Sequence, residues 1–371
     1  MTIILVDPPR SGALRFAYGY SQPNDDRSNE IDELSDIVSR FPSFRPHRLL
    51  GNRHLQTIAS FALRCKEYPY RAVSHPISLD NGDTTFLHDD RPDRWQATSP
   101  TALLVHGLSG CHQSSYMVRI AGRLNEAGVR TFRMDMRACG AGEGLSCLPY
   151  HAGCSDDLLK ALQRIAQICP ASPISLVGFS IGGNAALKLM GETPGGLPQN
   201  LCRSVIFNPP IDLAACVGHL STGAIRFYDR FIVRSLYRQL CRSDRLVEHA
   251  PHVALAPKPR GQREFDDLYT AGVWGFETVD ELYDETSALP VITNVRIPTL
   301  LIASRDDPLV PVEIFERLQL PPAVTMHLTD HGGHLGFVGR QNSDPDRRWM
   351  DWRIVDCITA DSPSQAVPVA A

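Results

Sequence analysis

Between residues 100 and 210 the apolar positions fall in short unbroken runs, and the segments between those runs carry apolar stripes at helical spacing. Thr101-Ala-Leu-Leu-Val105 and Ile174-Ser-Leu-Val-Gly-Phe179 read as strands buried on both faces, and Pro298-Thr-Leu-Leu-Ile-Ala303 repeats the pattern further on. Val129 to Met134, Arg203 to Phe207 and Val324 to Leu328 add further strands. Ser114 to Ala127 is an amphipathic helix stopped by Gly128. Asp157 to Ile168 places Leu158, Leu159, Leu162 and Ile165 on one side, with Ser155 or Asp156 expected at its N-cap. Strand–helix alternation of this kind predicts an α/β fold with a mostly parallel sheet covered on both faces.

Upstream, Ala72 to Leu79 and Thr84 to His88 flank Asp80-Asn-Gly-Asp83, a hairpin signal. Ile31 to Val38 and the segment after Gly51 predict short helices, and Phe41-Pro-Ser-Phe-Arg-Pro46 an extended aromatic stretch packed on the body. From about Asp212 to Pro290 the strands disappear and bulky apolar residues such as Phe227, Phe231, Leu236, Tyr237 and Leu240 follow a helical pattern. Alternation then resumes, with a helix near Val312 to Leu318 and a last one over about Arg347 to Ile358. The expected organisation is an N-terminal arm (1–45), one domain (46–360) with a helical lid inserted at about 212–290, and a flexible tail (361–371).

Composition removes whole classes of function. Of 371 residues 43% are hydrophobic and 21% charged, and 37 basic against 41 acidic residues leave a formal net charge of −4. That balance recruits neither nucleic acid nor an anionic membrane through bulk charge. No apolar run reaches the length of a membrane span, and Met1 to Arg10 lacks the basic start of a signal peptide. Ten cysteines without a Cys-x-x-Cys pair fit reduced thiols and a cytoplasmic location better than disulfides or a zinc site.

The chemistry concentrates around Gly178-Phe179-Ser180-Ile181-Gly182, which joins a strand to a helix through Gly-x-Ser-x-Gly. Such a turn lifts a serine hydroxyl above the sheet beside the next helix's free N–H groups. Serine is a weak nucleophile until an imidazole takes its proton, and a carboxylate must orient that imidazole. The loop after Pro298–Ala303 offers Asp307, with Asp306 as runner-up; a helix N-cap is the bland alternative for either. The loop after the next strand offers His334, ahead of His331, because its flanking glycines let the imidazole bend inward. The backbone N–H groups of Leu108 and Ile181 are the expected oxyanion donors. His106 reads as a structural hydrogen-bonder. His331-x-x-His334 lacks companion ligands, so no metal is expected. The glycines of Cys139 to Gly144 do not fit a dinucleotide turn, so no cofactor is expected either.

Together with Asn52-x-His54-Leu-Gln56-Thr57, Val105-His-Gly-Leu-Ser-Gly110, Phe265-Asp266, Thr270, Gly275-Phe276, Tyr283 and Ser287, these motifs resemble the YheT-like branch of the α/β-hydrolases. The resemblance spans about Phe41 to Phe337. It implies the α/β-hydrolase fold, a Ser180–His334–Asp307 triad, and hydrolysis of carboxylic esters, including medium-chain or lipid esters, through an acyl-enzyme. Transfer of the acyl group to an alcohol is the alternative, and a non-catalytic binding protein on the same fold the rival of another class. The expected partner is a small ester with a hydrophobic acyl chain. One position departs from the branch: Ala138 stands in Arg137-Ala-Cys-Gly140 where relatives carry glycine, which bears on the shape of the acyl pocket.

Overall fold

A computed structural model describes residues 27–62, 68, 71–251 and 256–360. The arm before residue 27 and the tail at 361–371 lie outside the described residues. The frame is an eight-stranded sheet of β1 (Val73–Ser78), β2 (Thr84–Asp90), β3 (Thr101–Val105), β4 (Arg130–Asp135), β5 (Ile174–Phe179), β6 (Leu201–Phe207), β7 (Thr299–Ser304) and β8 (Val324–Thr329). Their order is β1-β2-β4-β3-β5-β6-β7-β8, with β2 antiparallel to both its neighbours and every other pair parallel.

The unbroken apolar runs are buried on both sides because helices cover both. Ala102 and Leu104 of β3 join a core with α3 (Ser115–Glu126) and the closing helix Trp349–Thr359. Leu103 and Val105, pointing the other way, join α4 (Ser155–Ile168) and the helices inserted after β6. α1 (Arg27–Ser39) lies against β8 and the closing helix, and its Leu34 is buried. Phe44 then meets the rings of Phe337 and Trp349 edge-on at 5.5 and 5.7 Å.

Two local expectations change. Cys154, not Ser155 or Asp156, occupies the N-cap of α4, and no side chain caps it; the Ser155 hydroxyl turns instead to Glu192 at 3.0 Å. The helix near Val312 shortens to Glu313–Glu316, its end tightening so that the Leu318 N–H donates to the Phe315 carbonyl at 3.2 Å.

Between β6 and β7 run α6 (Leu213–Leu220), α7 (Arg226–Leu240) and further short helices, including Val279–Thr286. Asn184, on α5 (Ile181–Glu192), fastens the far end of this insertion: its amide donates to the carbonyls of Ala152 and Thr286 and accepts the Ala288 N–H. Among the described residues no helix is long and apolar enough to cross a membrane.

Candidate active site

β5 hands directly to α5 at Ser180, whose φ of 51° and ψ of −122° are strained for a side-chain-bearing residue. The turn closes only with glycine beside it. A Cβ on Gly182 would lie 2.5 Å from the His106 carbonyl oxygen, and one on Gly178 would lie 2.7 Å from the Gly183 Cα. The Ser180 N–H donates to the Phe207 carbonyl at 2.9 Å, fixing the strained residue to the neighbouring strand.

The loops after β7 and β8 bring the two expected partners to this hydroxyl. His334 Nε2 lies 2.9 Å from Ser180 Oγ, and His334 Nδ1 lies 2.8 Å from Asp307 Oδ2. All three residues are buried. Asp307 further accepts the backbone N–H groups of Leu309 and Val310 at 2.7 and 3.1 Å and the Asn208 amide at 2.7 Å. With only N–H donors around it, the carboxylate takes the Nδ1 proton as a hydrogen bond, which leaves the Nε2 lone pair facing the serine.

Residues outside the expected set hold the imidazole. Thr57, on α2 (Arg53–Ala62), accepts the His334 N–H at 2.9 Å and donates its own hydroxyl to the Arg53 carbonyl at 2.9 Å. Asp306 accepts the Gly333 N–H at 2.9 Å and faces His331 Nδ1 at 3.3 Å, so it braces the histidine loop. Gly333 adopts φ 57°, and a Cβ there would lie 2.6 Å from the Arg53 carbonyl oxygen. Asn208, at φ 45°, follows β6, where nothing in a single sequence marks it as a partner of Asp307.

The loop after β3 runs past the serine, since a Cβ on Gly107 would meet Ser180 Cβ at 3.3 Å. In that loop the Gly107 N–H donates to Tyr116 Oη at 2.8 Å and the Ser109 N–H donates to Tyr150 Oη at 2.7 Å. The intervening Leu108 N–H has no acceptor among the described residues. Burial raises the pKa of both phenols, so both hydroxyls stay neutral acceptors. Ile181 opens α5, where helix geometry leaves an N–H unpaired. His106 is fully buried; its Nε2 accepts the Met136 N–H at 3.0 Å and Nδ1 donates to the Gly107 carbonyl at 2.7 Å. Burial lowers its pKa, consistent with a neutral ring that fixes this loop.

A second buried centre was not anticipated. His88, His112 and Asp135 bring ligand-type atoms within 4.8 Å of one another. Asp135 Oδ2 lies 2.9 Å from His88 Nε2 and 2.8 Å from His112 Nδ1, and the carboxylate also accepts the backbone N–H groups of His112 and Ala141.

A mostly parallel sheet with a strained serine at one strand end, and an imidazole and a carboxylate arriving from two later strands, is the arrangement of an α/β-hydrolase. The chain belongs to that family, in its YheT-like branch: the alpha/beta hydrolase fold model matches residues 100–340. YheT of Escherichia coli, an esterase by name, is 30% identical over 85% of this chain and 93% of its own length. The human phospholipase ABHD3 is 26% identical over 72% of this chain and 66% of its own. A medium-chain fatty acid ethyl ester synthase/esterase of Saccharomyces cerevisiae is 25% identical over 74% and 66%. Among solved structures, the esterase Pf2001 of Pyrococcus furiosus superposes with a TM-score of 0.52 at 18% identity, covering 86% of this chain and 98% of that one. The last likeness speaks to fold alone.

Proposed function

We propose that this protein hydrolyses carboxylic esters through a Ser180–His334–Asp307 triad and an acyl-enzyme. One observation carries the reading: a single imidazole bridges the Ser180 hydroxyl and the Asp307 carboxylate at 2.9 and 2.8 Å. His334 Nε2 takes the hydroxyl proton as Oγ attacks the ester carbonyl. The Leu108 and Ile181 N–H groups receive the developing oxyanion, and Asp307 stabilises the imidazolium. The imidazolium passes its proton to the departing alcohol, and water, activated by the same nitrogen, releases the acid.

The names of the relatives support an ester as substrate. A small apolar cavity of about 30 Å³, lined by Ala138, Leu148, Tyr150, Leu236 and Phe265, has room for little more than one water or methyl group, so the apolar acyl chain rests on the relatives' names and not on this cavity. Tyr150 links that cavity to the Ser109 N–H and so to the loop beside the serine. The test is covalent labelling by a fluorophosphonate probe, followed by a p-nitrophenyl ester series of increasing acyl length. Labelling of the intact protein that disappears in Ser180→Ala supports the reading, and equal labelling of both removes it. The yeast relative's name also admits acyl transfer, so added ethanol separates ester synthesis from hydrolysis in the product mixture.

A further inference from the structure

α7 presents a face that no part of the proposed reaction uses. Arg226, Arg230, Arg234 and Arg238 stand four residues apart, and all four are exposed. At about 100° per residue they share roughly 140° of the helix circumference with Phe227 and Phe231. Phe231 is 71% exposed and Phe227 47%, while Tyr228, Val233, Leu236 and Leu240 are buried on the other side. The helix's one acidic residue, Asp229, is turned inward and accepts the Gln262 N–H at 2.7 Å. None of the four arginines is ion-paired among the described residues.

The patch continues onto α2, beside the proposed triad. His54 stacks on Tyr228 at 5.7 Å and meets Phe227 at 5.9 Å, and its Nδ1 lies 3.1 Å from Tyr228 Oη. The same helix exposes Leu55 and Ile58, about half each, on either side of the Gln56-Thr57 pair whose threonine holds His334.

We propose that this face docks the protein on an anionic phospholipid surface. The arginines would pair with lipid phosphates while Phe227 and Phe231 enter the boundary between headgroups and acyl chains. Large apolar rings set inside a cationic arc are the pattern of helices that lie in a membrane interface. The chain's net charge is −4, so the attraction is a property of this face and not of the whole molecule. Docking stands apart from the ester reading; only its consequence, an active site brought up to lipid, rests on that reading.

The test is sedimentation of the full chain with vesicles of phosphatidylcholine alone or with one-quarter phosphatidylglycerol, at low and moderate salt. Binding is expected only with the anionic lipid, and weaker as salt rises. Arg230→Glu with Arg234→Glu should weaken it by tenfold or more, since each basic residue near such a surface contributes roughly fivefold. Phe231→Asp should weaken it about as much. Both variants should keep the wild-type melting temperature and, where hydrolysis is measured, turnover of a short water-soluble p-nitrophenyl ester. Equal association with both vesicle types, or variants that bind like wild type, overturns the proposal. Loss in the arginine variant but not in Phe231→Asp also overturns it, pointing to an acidic macromolecule held by charge alone. Failure of ester hydrolysis with intact vesicle binding strikes the catalytic reading instead.

Discussion

Two buried centres in this sheet pair histidine with aspartate, and they have opposite characters. At one, Asp307 holds a single imidazole whose other nitrogen faces the Ser180 hydroxyl. At the other, Asp135 at the end of β4 is shared by two imidazoles, His88 and His112, stacked 3.4 Å apart. Burial raises the Asp135 pKa, but the ring N–H groups of His112 and His88 and the amides of His112 and Ala141 outweigh it and hold the carboxyl well below its usual range. A buried imidazole–carboxylate pair is therefore not a reactive site by itself. Reactivity needs a hydroxyl at the far nitrogen and unpaired N–H groups nearby; without them the same pair is a rivet.

The sharpest way to break this contrast is to remove one member from each centre. Ser180→Ala should lower kcat by on the order of a millionfold, with circular dichroism and melting temperature unchanged. Asp307→Asn should cost about ten-thousandfold in kcat, through loss of the correct imidazole tautomer. Asp135→Asn should do the reverse: stability falls by about 3 kcal/mol in urea titration, since a buried charge network loses its anion, while kcat per folded molecule stays within a fewfold. A thousandfold fall in kcat for folded Asp135→Asn would erase the distinction. The Asp135 contribution has a sign in pH. Its folded pKa lies below the unfolded value, so the stabilisation is present above pH 4 and drains away as acid approaches the folded value.

The two centres also differ in how visible they were before the structure. The parallel sheet, the serine turn and the histidine loop were legible because each has local causes: unbroken apolar runs, glycines where a Cβ collides, a strand before and a helix after. Asp307 over Asp306 could be argued from loop position, and the structure puts Asp307 at the imidazole and Asp306 at the Gly333 N–H. Thr57 stood out only as the end of the Asn52–Thr57 motif, with no role attached, and Asn208 and the His88–His112–Asp135 cluster did not stand out at all. Their partners are 277, 99 and 23 to 47 residues away, and their local sequences carry no signal of it. The cap of α4 failed for a related reason, since Ser155 found Glu192 across the fold.

A third buried carboxylate sharpens the comparison further. Asp266 in the insertion faces hydroxyl donors, Tyr283 Oη at 2.9 Å and Thr270 Oγ1 at 3.0 Å, and no imidazole. Burial pushes its pKa up to about 6, against those hydrogen bonds. Because the folded protein holds this proton when the unfolded chain has released it, stability should fall as pH rises from about 4 to 6, by roughly 2–3 kcal/mol. Asp266→Asn cannot titrate and should lack that fall, while a group held low like Asp135 slopes the other way. Melting temperatures of wild type and Asp266→Asn between pH 4 and 7 read the difference; parallel curves would mean that Asp266 is ionised throughout.

The smallest effect concerns the loop under the Asp135 centre. Ala138 has φ 59°, the left-handed region in which a Cβ is strained, and Ala141 three residues on donates its N–H to Asp135. Ala138→Gly relieves the backbone strain but frees the unfolded chain, two terms of similar size and opposite sign. The net should be a stabilisation of less than about 1 kcal/mol, seen as a rise in melting temperature of roughly a degree or two. A stability loss beyond 1 kcal/mol would show that the Ala138 methyl packs too well for its strain to matter.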